Sequence, residues 1–180
     1  MKILYLRKVL FVIVFLFMAK NTDAQHKLSF DLAAIRNMGN DLMGLNVSCF
    51  NHFTEKFVGG LEVNRFFAAS RVKDGENIRL SAWDLDFNFQ YHFALFKKWK
   101  IYPIAGVSHT SEREWTEATN QNQFEKFWSF NTGAGTLVEL GKWSPHIEYT
   151  FSWGKTNQQF LLAGISYELE WGKQEKENNK

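Results

Sequence analysis

The stretch WSPHIEYTFSW at residues 143–153, together with FLLAGISYELEW at residues 160–171, decides the fold class. In the first segment, apolar or aromatic side chains such as Trp143, Ile147 and Trp153 occupy every second position, and polar side chains lie between them. This two-residue alternation is typical of a β-strand. A segment of about ten residues crosses a bilayer when the strand is tilted. The two segments therefore predict neighbouring transmembrane strands of a β-barrel.

The first 24 residues are predicted to be a cleaved secretory signal peptide. Basic residues at positions 2, 7 and 8 precede an apolar run at 9–19, and Thr22-Asp23-Ala24 provides a cleavage site. The apolar run is too short for a permanent membrane helix. The residue directly after the cleavage site is Gln25 and not cysteine, so a lipoprotein anchor is not expected. We predict three parts: the signal peptide 1–24, a barrel 25–171 and a polar C-terminal tail 172–180.

Composition excludes several classes of protein. The single cysteine, Cys49, cannot form an intramolecular disulfide. A formal net charge of +2 without a basic cluster argues against nucleic-acid binding. No apolar run of about 20 residues follows the signal peptide, which excludes helical membrane spans. The sequence indicates no cofactor and no metal site with recognisable ligand spacing.

The rest of the chain divides into six further alternating segments separated by turn signals. We interpret the charged stretch 71–77 as a loop and the stretch 112–126 as the longest loop. With an even number of strands and both termini in the periplasm, the short turns near Glu55, Lys97 and Gly141 are periplasmic and the other loops are extracellular. The six segments are 27–37, 42–53, 57–69, 78–93, 99–111 and 127–140.

Three features indicate that the polar face points into the barrel and the apolar face meets lipid. The polar face has almost no lysine away from the strand ends, as expected for a narrow lumen filled by side chains. Glycines at 44, 60, 106, 133, 135 and 164 all share that face, where crowding favours them. Tryptophans near strand ends form two aromatic girdles on the apolar face. The girdle residues are Trp99, Trp143 and Trp171 at one rim and Trp128 and Trp153 at the other.

With these features the chain resembles the small eight-stranded outer-membrane β-barrels of Gram-negative bacteria, the family of the OmpA transmembrane domain and OmpX. The resemblance rests on strand number, girdles and loop lengths, and the stretch YPIAGV at residues 102–107 is similar to a strand of such barrels. It implies an all-β, antiparallel, up-and-down transmembrane barrel in the outer membrane. It also implies that barrel-assembly machinery reads a final aromatic residue, which here would be Trp171, although nine polar residues follow it.

Charged residues give the candidate binding sites. Arg36, Arg65 and Arg79 are predicted on the lipid-facing side of the outer rim, where arginine can pair with lipopolysaccharide phosphates or extend towards the interface. The predicted lumen collects six carboxylates with His92 and His146 but few basic partners. Water, protonation, a bound cation or an error in strand register would each account for this excess. The six are Asp31, Glu62, Asp84, Asp86, Glu148 and Glu168.

His109 and Ser111 are the one candidate catalytic pair. Both are predicted on the lipid-facing side of the fifth strand, and the His-x-Ser pattern is similar to that of outer-membrane lipid A deacylases. A serine activated by histidine would hydrolyse acyl esters, given a carboxylate to orient the imidazole. Glu112 replaces the asparagine that usually follows the serine, and no third member is clearly placed. Polar residues at a strand end are the simpler interpretation.

The sequence thus predicts a non-enzymatic outer-membrane barrel with a structural, adhesion or surface-interaction role. An eight-stranded lumen is too narrow for a general pore. Expected partners are outer-membrane lipid and lipopolysaccharide, the assembly machinery, and an extracellular partner bound through the loops. The first alternative is a lipid A acyl-ester hydrolase. The second is a secreted soluble barrel with the two faces reversed, which would bind an apolar ligand.

Overall fold

The computed structural model describes residues 26–73, 76–116, 119 and 121–171. The predicted signal peptide and C-terminal tail lie outside these residues. Among the residues described, no helix combines the length and the apolarity needed to cross a membrane. The described residues form eight strands: β1 His26–Asn37, β2 Leu42–His52, β3 Phe57–Lys73, β4 Glu76–Tyr91 with a short continuation at Phe93–Ala94, β5 Trp99–Thr116, β6 Gln121–Val138, β7 Trp143–Gly154 and β8 Gln158–Trp171.

Hydrogen bonding between neighbouring strands closes the sheet into a barrel within Lys27–Leu169. Each strand pairs antiparallel with the next, and β8 lies beside β1. The backbone N–H of Met38 donates to the carbonyl of Gln159 at 2.7 Å, which fastens this last junction. The predicted eight-stranded, antiparallel, up-and-down barrel is confirmed.

The two faces of the barrel have the predicted polarity. On the outer face, Leu32 and Val47 are each 57% exposed, and they belong to a band of apolar side chains around the barrel. On the inner face, Asn46, Asp84 and Asn131 are each only 1% exposed. The reversed faces of the second alternative are therefore wrong, because mostly polar side chains line the interior and apolar side chains cover the outside.

The predicted girdle tryptophans are exposed. Trp99 and Trp143 begin β5 and β7, at the end of the barrel that holds the turns near Glu55, Lys97 and Gly141. Trp128 and Trp153 lie on the outer face toward the opposite end, where β6 leaves its pairing with β7. The indole N–H of Trp153 donates to the hydroxyl of Thr132 at 2.8 Å, so this polar group is satisfied on an apolar surface. All five tryptophans, including Trp171 at the end of β8, are between 47% and 67% exposed.

The structure corrects the predicted loops. β5 and β6 remain paired as far as Thr116 and Gln121, so most of the stretch 112–126 is strand. β3 likewise continues to Lys73 and β4 begins at Glu76. The charged residues misled the prediction, because a strand that extends beyond the barrel rim covers no barrel interior and need not alternate between apolar and polar residues.

These longer strands form a four-stranded extension beyond the barrel rim. Pairing of β2 with β3 is present up to Phe66, and pairing of β6 with β7 begins only at Ser129. A bulge between Phe66 and Ala69 marks the point where β3 leaves the barrel. We call this extension the protruding sheet; it comprises residues 67–73, 76–82, 111–116 and 121–128.

The barrel interior is packed along its length. Toward the end bearing the protruding sheet, an apolar cluster fills the lumen, and the rings of Phe66 and Phe160 stack with centroids 5.7 Å apart. Beyond it lies a layer of hydrogen-bonded amides and carboxylates. A cavity near the opposite end has a volume of only about 20 Å³, roughly the space for one water molecule. The apolar cluster contains Ala33, Ile35, Leu42, Phe66, Ala82, Phe160 and Leu162.

Candidate functional site at the outer rim

The strand registers of β3, β4 and β5 bring three arginines together on the outer face of the barrel rim. Arg65 on β3 pairs with Trp83 on β4, and Arg113 on β5 pairs with Ser81 on β4. Arg79 pairs with Trp115 further along the same strands. These positions share the outward side of the sheet with Trp83, because alternate residues of a strand point the same way.

The three guanidinium groups line a pocket of about 310 Å³, whose other walls are Ala68, Ser81 and Trp115. The side chains of Arg65, Arg79 and Arg113 are all exposed. Nη1 of Arg65 donates to the carbonyl of Ala82 at 3.3 Å. Nε of Arg113 donates to Asn122 at 2.9 Å, and its guanidinium lies 5.7 Å from the ring centre of Phe124. These contacts orient two of the guanidinium groups without neutralising them.

No carboxylate of the described residues forms an ion pair with any of these three arginines. The neighbouring acids are on the opposite side of the sheet. Glu112 and Glu114 alternate with Arg113 and Trp115, and the Glu112 carboxylate accepts a bond from Nε2 of Gln158 at 2.7 Å. The protruding sheet is thus basic on its outward side and acidic on its inward side, and an anion is favoured only on the outward side.

Two of the three pocket arginines are among the residues predicted from the sequence. Arg65 and Arg79 are predicted at the rim and lie together, but Arg36 lies apart from the pocket. Arg36 instead bonds Asp41, with Nη2 and Oδ1 2.6 Å apart. Arg113 was missed because its stretch was interpreted as a loop. Because Glu112, Arg113 and Glu114 are all charged, no alternation of apolar and polar residues marks a strand there.

The arginine at position 71 has a structural role. Arg71 lies on the inward side of β3, and its Nη2 donates to the carbonyl of Asn40 at 2.7 Å and to that of Asp41 at 2.6 Å. Asp41 has a positive φ of 48°, a conformation that aspartate adopts more readily than most residues. Arg36 and Arg71 therefore hold the turn between β1 and β2 from two sides. The hydrogen bond and charge of Arg36, with a smaller contribution from Arg71, keep the pKa of Asp41 below its ordinary value.

His109 and Ser111 do not form a catalytic arrangement with a carboxylate. The His109 ring packs between Trp83 and Trp128, with centroid distances of 6.0 and 4.9 Å. Ser111 is only 6% exposed, and no hydrogen bond joins it to His109 among the described residues. The nearest acid in sequence, Glu112, faces the other side of the sheet. The geometry gives the hydrolase hypothesis no support.

The acidic lumen predicted from the sequence is held mainly by amide and hydroxyl donors. Asn88 Nδ2 donates to Glu62 at 2.7 Å, and Asn46 Nδ2 donates to the same carboxylate at 3.1 Å. The Tyr102 hydroxyl donates to Glu148 at 2.7 Å. Such bonds offset part of the cost of burying a carboxylate.

The remaining acidic side chains of the lumen have similar partners or lie near the end of the barrel where β1 begins. Asn64 donates to Asp86 at 2.9 Å, and Lys27 pairs with Glu168 at 2.5 Å. One oxygen each of Asp31, Asp84 and Asp86 lacks a hydrogen-bond partner among the described residues. The His, Cys, Asp and Glu side chains in the described part of the chain nowhere form a group that could hold a metal ion.

Comparison with known proteins identifies the fold. No protein-family model matches the sequence, and no curated protein matches it. The structure is similar to the N-terminal β-barrel domain of OprF from Pseudomonas aeruginosa, at 14% identity and a TM-score of 0.60, covering 79% of this chain and 97% of that one. It is also similar to a major outer membrane protein of Thermus thermophilus, at 10% identity and a TM-score of 0.65, covering 80% of this chain and 99% of that one.

A third similar structure is Ail, the attachment invasion locus protein of Yersinia pestis, in complex with the heparin analogue sucrose octasulfate. It is 11% identical, with a TM-score of 0.54, and the match covers 81% of this chain and 97% of that one. At these identities the likeness concerns the fold. The chain has the fold of the small eight-stranded outer-membrane β-barrels, and the resemblance stated from the sequence is confirmed at that level.

Proposed function

We propose that the protein is an outer-membrane β-barrel with a structural and surface-interaction role, exported by the signal peptide at residues 1–24. One observation carries the proposal: a closed barrel exposes an apolar band between aromatic rims while its interior is filled. Such an outer face is stable only against lipid, since exposed apolar patches of that extent are rare on soluble proteins. The similar fold of outer-membrane proteins supports the location.

The filled lumen argues against transport as the role. The apolar cluster around Phe66 and Phe160 and the amide layer beyond it leave no continuous path in the described barrel. The parts available for interaction are those beyond the rim. The protruding sheet is the largest of these, and its basic outward side with Trp115 and Phe124 is the proposed interaction surface.

The test is fractionation of cells that express the full chain, followed by electrophoresis of the outer-membrane fraction with and without boiling. We expect the protein in that fraction, with faster migration of the unheated sample, because a closed barrel resists unfolding by detergent. N-terminal sequencing of the purified protein should begin at Gln25. A soluble periplasmic protein without a heat-dependent shift would overturn the proposal.

A further inference from the structure

The pocket of Arg65, Arg79 and Arg113 presents to one small volume three cations that have no carboxylate partner among the described residues. Arginine holds phosphate through two parallel N–H···O bonds, and it keeps its charge at any physiological pH. Arg79 has no hydrogen-bond or ion-pair partner in the described part of the chain, so its donors are available to a ligand. A volume of about 310 Å³ admits a phosphorylated sugar but not a folded protein segment.

The position of the pocket favours a ligand that is anchored in the membrane. Along β4 the outward residues run from Phe87 and Leu85 through Trp83 to Ser81 and Arg79, that is, from the apolar band across the aromatic rim to the pocket. Arg79 lies four residues beyond Trp83, roughly 13 Å along the strand. An amphiphile with acyl chains against the band and an anionic headgroup above the rim would contact both.

We propose that this pocket binds the phosphate groups of lipopolysaccharide in the outer leaflet. The proposal rests on the proposed function, because it requires the barrel to lie in the outer membrane with the protruding sheet outside. Arg65, level with Trp83, would contact a phosphate at the rim, and Arg79 and Arg113 would contact phosphate further out. A headgroup with more than one phosphate uses all three arginines.

The experiment measures binding of purified lipopolysaccharide to the mature protein in detergent micelles by tryptophan fluorescence. The variant combines Arg65→Gln, Arg79→Gln and Arg113→Gln. The matched control is Arg36→Gln, an outward arginine at the same rim that lies outside the pocket and is paired with Asp41. We expect the triple variant to bind about tenfold more weakly or worse, and the control to bind within about twofold of the wild type.

Lipopolysaccharide stripped of its phosphates is the second probe. It should bind the wild type as weakly as intact lipopolysaccharide binds the triple variant. Equal binding of intact lipopolysaccharide by wild type and triple variant would overturn the proposal, as would equal binding of intact and stripped lipopolysaccharide. Binding of sucrose octasulfate as tight as that of lipopolysaccharide would also overturn it, in favour of a soluble polyanion.

The heat-dependent shift in electrophoretic migration is measured for each variant, because it distinguishes a variant that fails to fold from one that folds but fails to bind. If the triple variant loses the shift, the binding measurement is made on the single variant Arg79→Gln instead. The Arg79 side chain has no partner among the described residues whose loss could affect folding. Failure of the proposed function would appear separately, as a wild-type protein absent from the outer-membrane fraction. Binding in micelles would then still report on the pocket.

Discussion

Single side chains inside the barrel have little freedom, and the glycines show why. At Gly106 an added Cβ would meet the carbonyl oxygen of Phe87 and the side-chain oxygen of Asn88. At Gly135 it would meet the ring of Tyr102, with the hydroxyl oxygen 2.6 Å away. The inward glycines are therefore places where a neighbouring strand or ring occupies the space of a side chain, as their common polar face predicted.

Gly106→Ala is expected to destabilise the barrel by about 1–3 kcal/mol, because the new methyl group must displace the β4 backbone or break the bond between Asn88 and Asn131. Urea unfolding in detergent micelles measures the change. Gly39→Ala is the control, because its nearest neighbour would be the Asn37 side-chain oxygen at 3.5 Å, an ordinary contact. Its effect should stay within about 0.5 kcal/mol. Equal effects of the two substitutions would contradict the crowding argument.

The turn between β1 and β2 makes a prediction about pH. Because Arg36 lowers the pKa of Asp41, Arg36→Gln should raise that pKa toward the ordinary aspartate value of about 3.9. A carboxyl whose pKa is lower in the folded protein contributes stability above the unfolded value, and this contribution disappears as pH falls through the folded value. NMR titration of the Asp41 carboxyl carbon measures both proteins. Superimposable titration curves would mean that the Arg36 contact does not persist in solution.

At the scale of the strand, the protruding sheet predicts slow exchange of backbone amides in a stretch rich in charge. β5 pairs with strands on both sides from Glu112 to Thr116, so these amides should exchange at least about 100-fold more slowly than those of an unstructured chain. Residues 121–126 of β6 pair on one side only and should be intermediate. Hydrogen–deuterium exchange by NMR measures this, with the exposed turn at Lys97 and Lys98 as the fast reference. Rapid exchange throughout 112–126 would restore the loop interpretation.

The strands of the barrel could be predicted from sequence, whereas their continuation into the protruding sheet could not. Within the barrel one face carries the exposed apolar band and the other lines a mainly polar lumen, so Leu61, Glu62 and Val63 alternate clearly. Above the rim both faces meet water, and Arg113 lies between two glutamates with no apolar face to mark a strand. The apolar cluster was also not predicted, since Phe66 and Phe160 share the inward side with mostly polar residues.

The candidate site illustrates the same limit for the whole molecule. Arg36, Arg65 and Arg79 could be assigned to one rim from the sequence, because the position of a residue along its strand determines how close it lies to the end of the barrel. The sequence could not separate them around the circumference, which depends on the register of β3 with β4 and β5. Register also brings Arg113 beside Arg65 and Arg79. Alternation along β5 sets Glu112 on the side opposite His109. Position along a strand was thus predictable, and proximity between strands was not.

For the whole barrel, the filled interior predicts that the reconstituted protein does not admit small sugars. Lipid vesicles containing the wild type should show no osmotic swelling beyond that of empty vesicles. Replacing both stacked rings, by Phe66→Ala and Phe160→Ala, removes the two aromatic side chains of the apolar cluster but leaves the amide layer around Asn46 and Glu62. The double variant should therefore remain impermeable while losing several kcal/mol of stability, about 3–5 for each buried ring.

The two measurements separate closure from stability. Swelling of the double variant alone would show that the apolar cluster is the barrier and that the amide layer contains a water path. Swelling of wild-type vesicles would contradict the closed barrel and reopen transport as a role. Impermeability of both, with lower resistance of the variant to urea, would mean that the amide layer closes the lumen without the two rings. A filled lumen suits the function that we propose for this barrel, an interaction at the rim formed by the arginines and the protruding sheet.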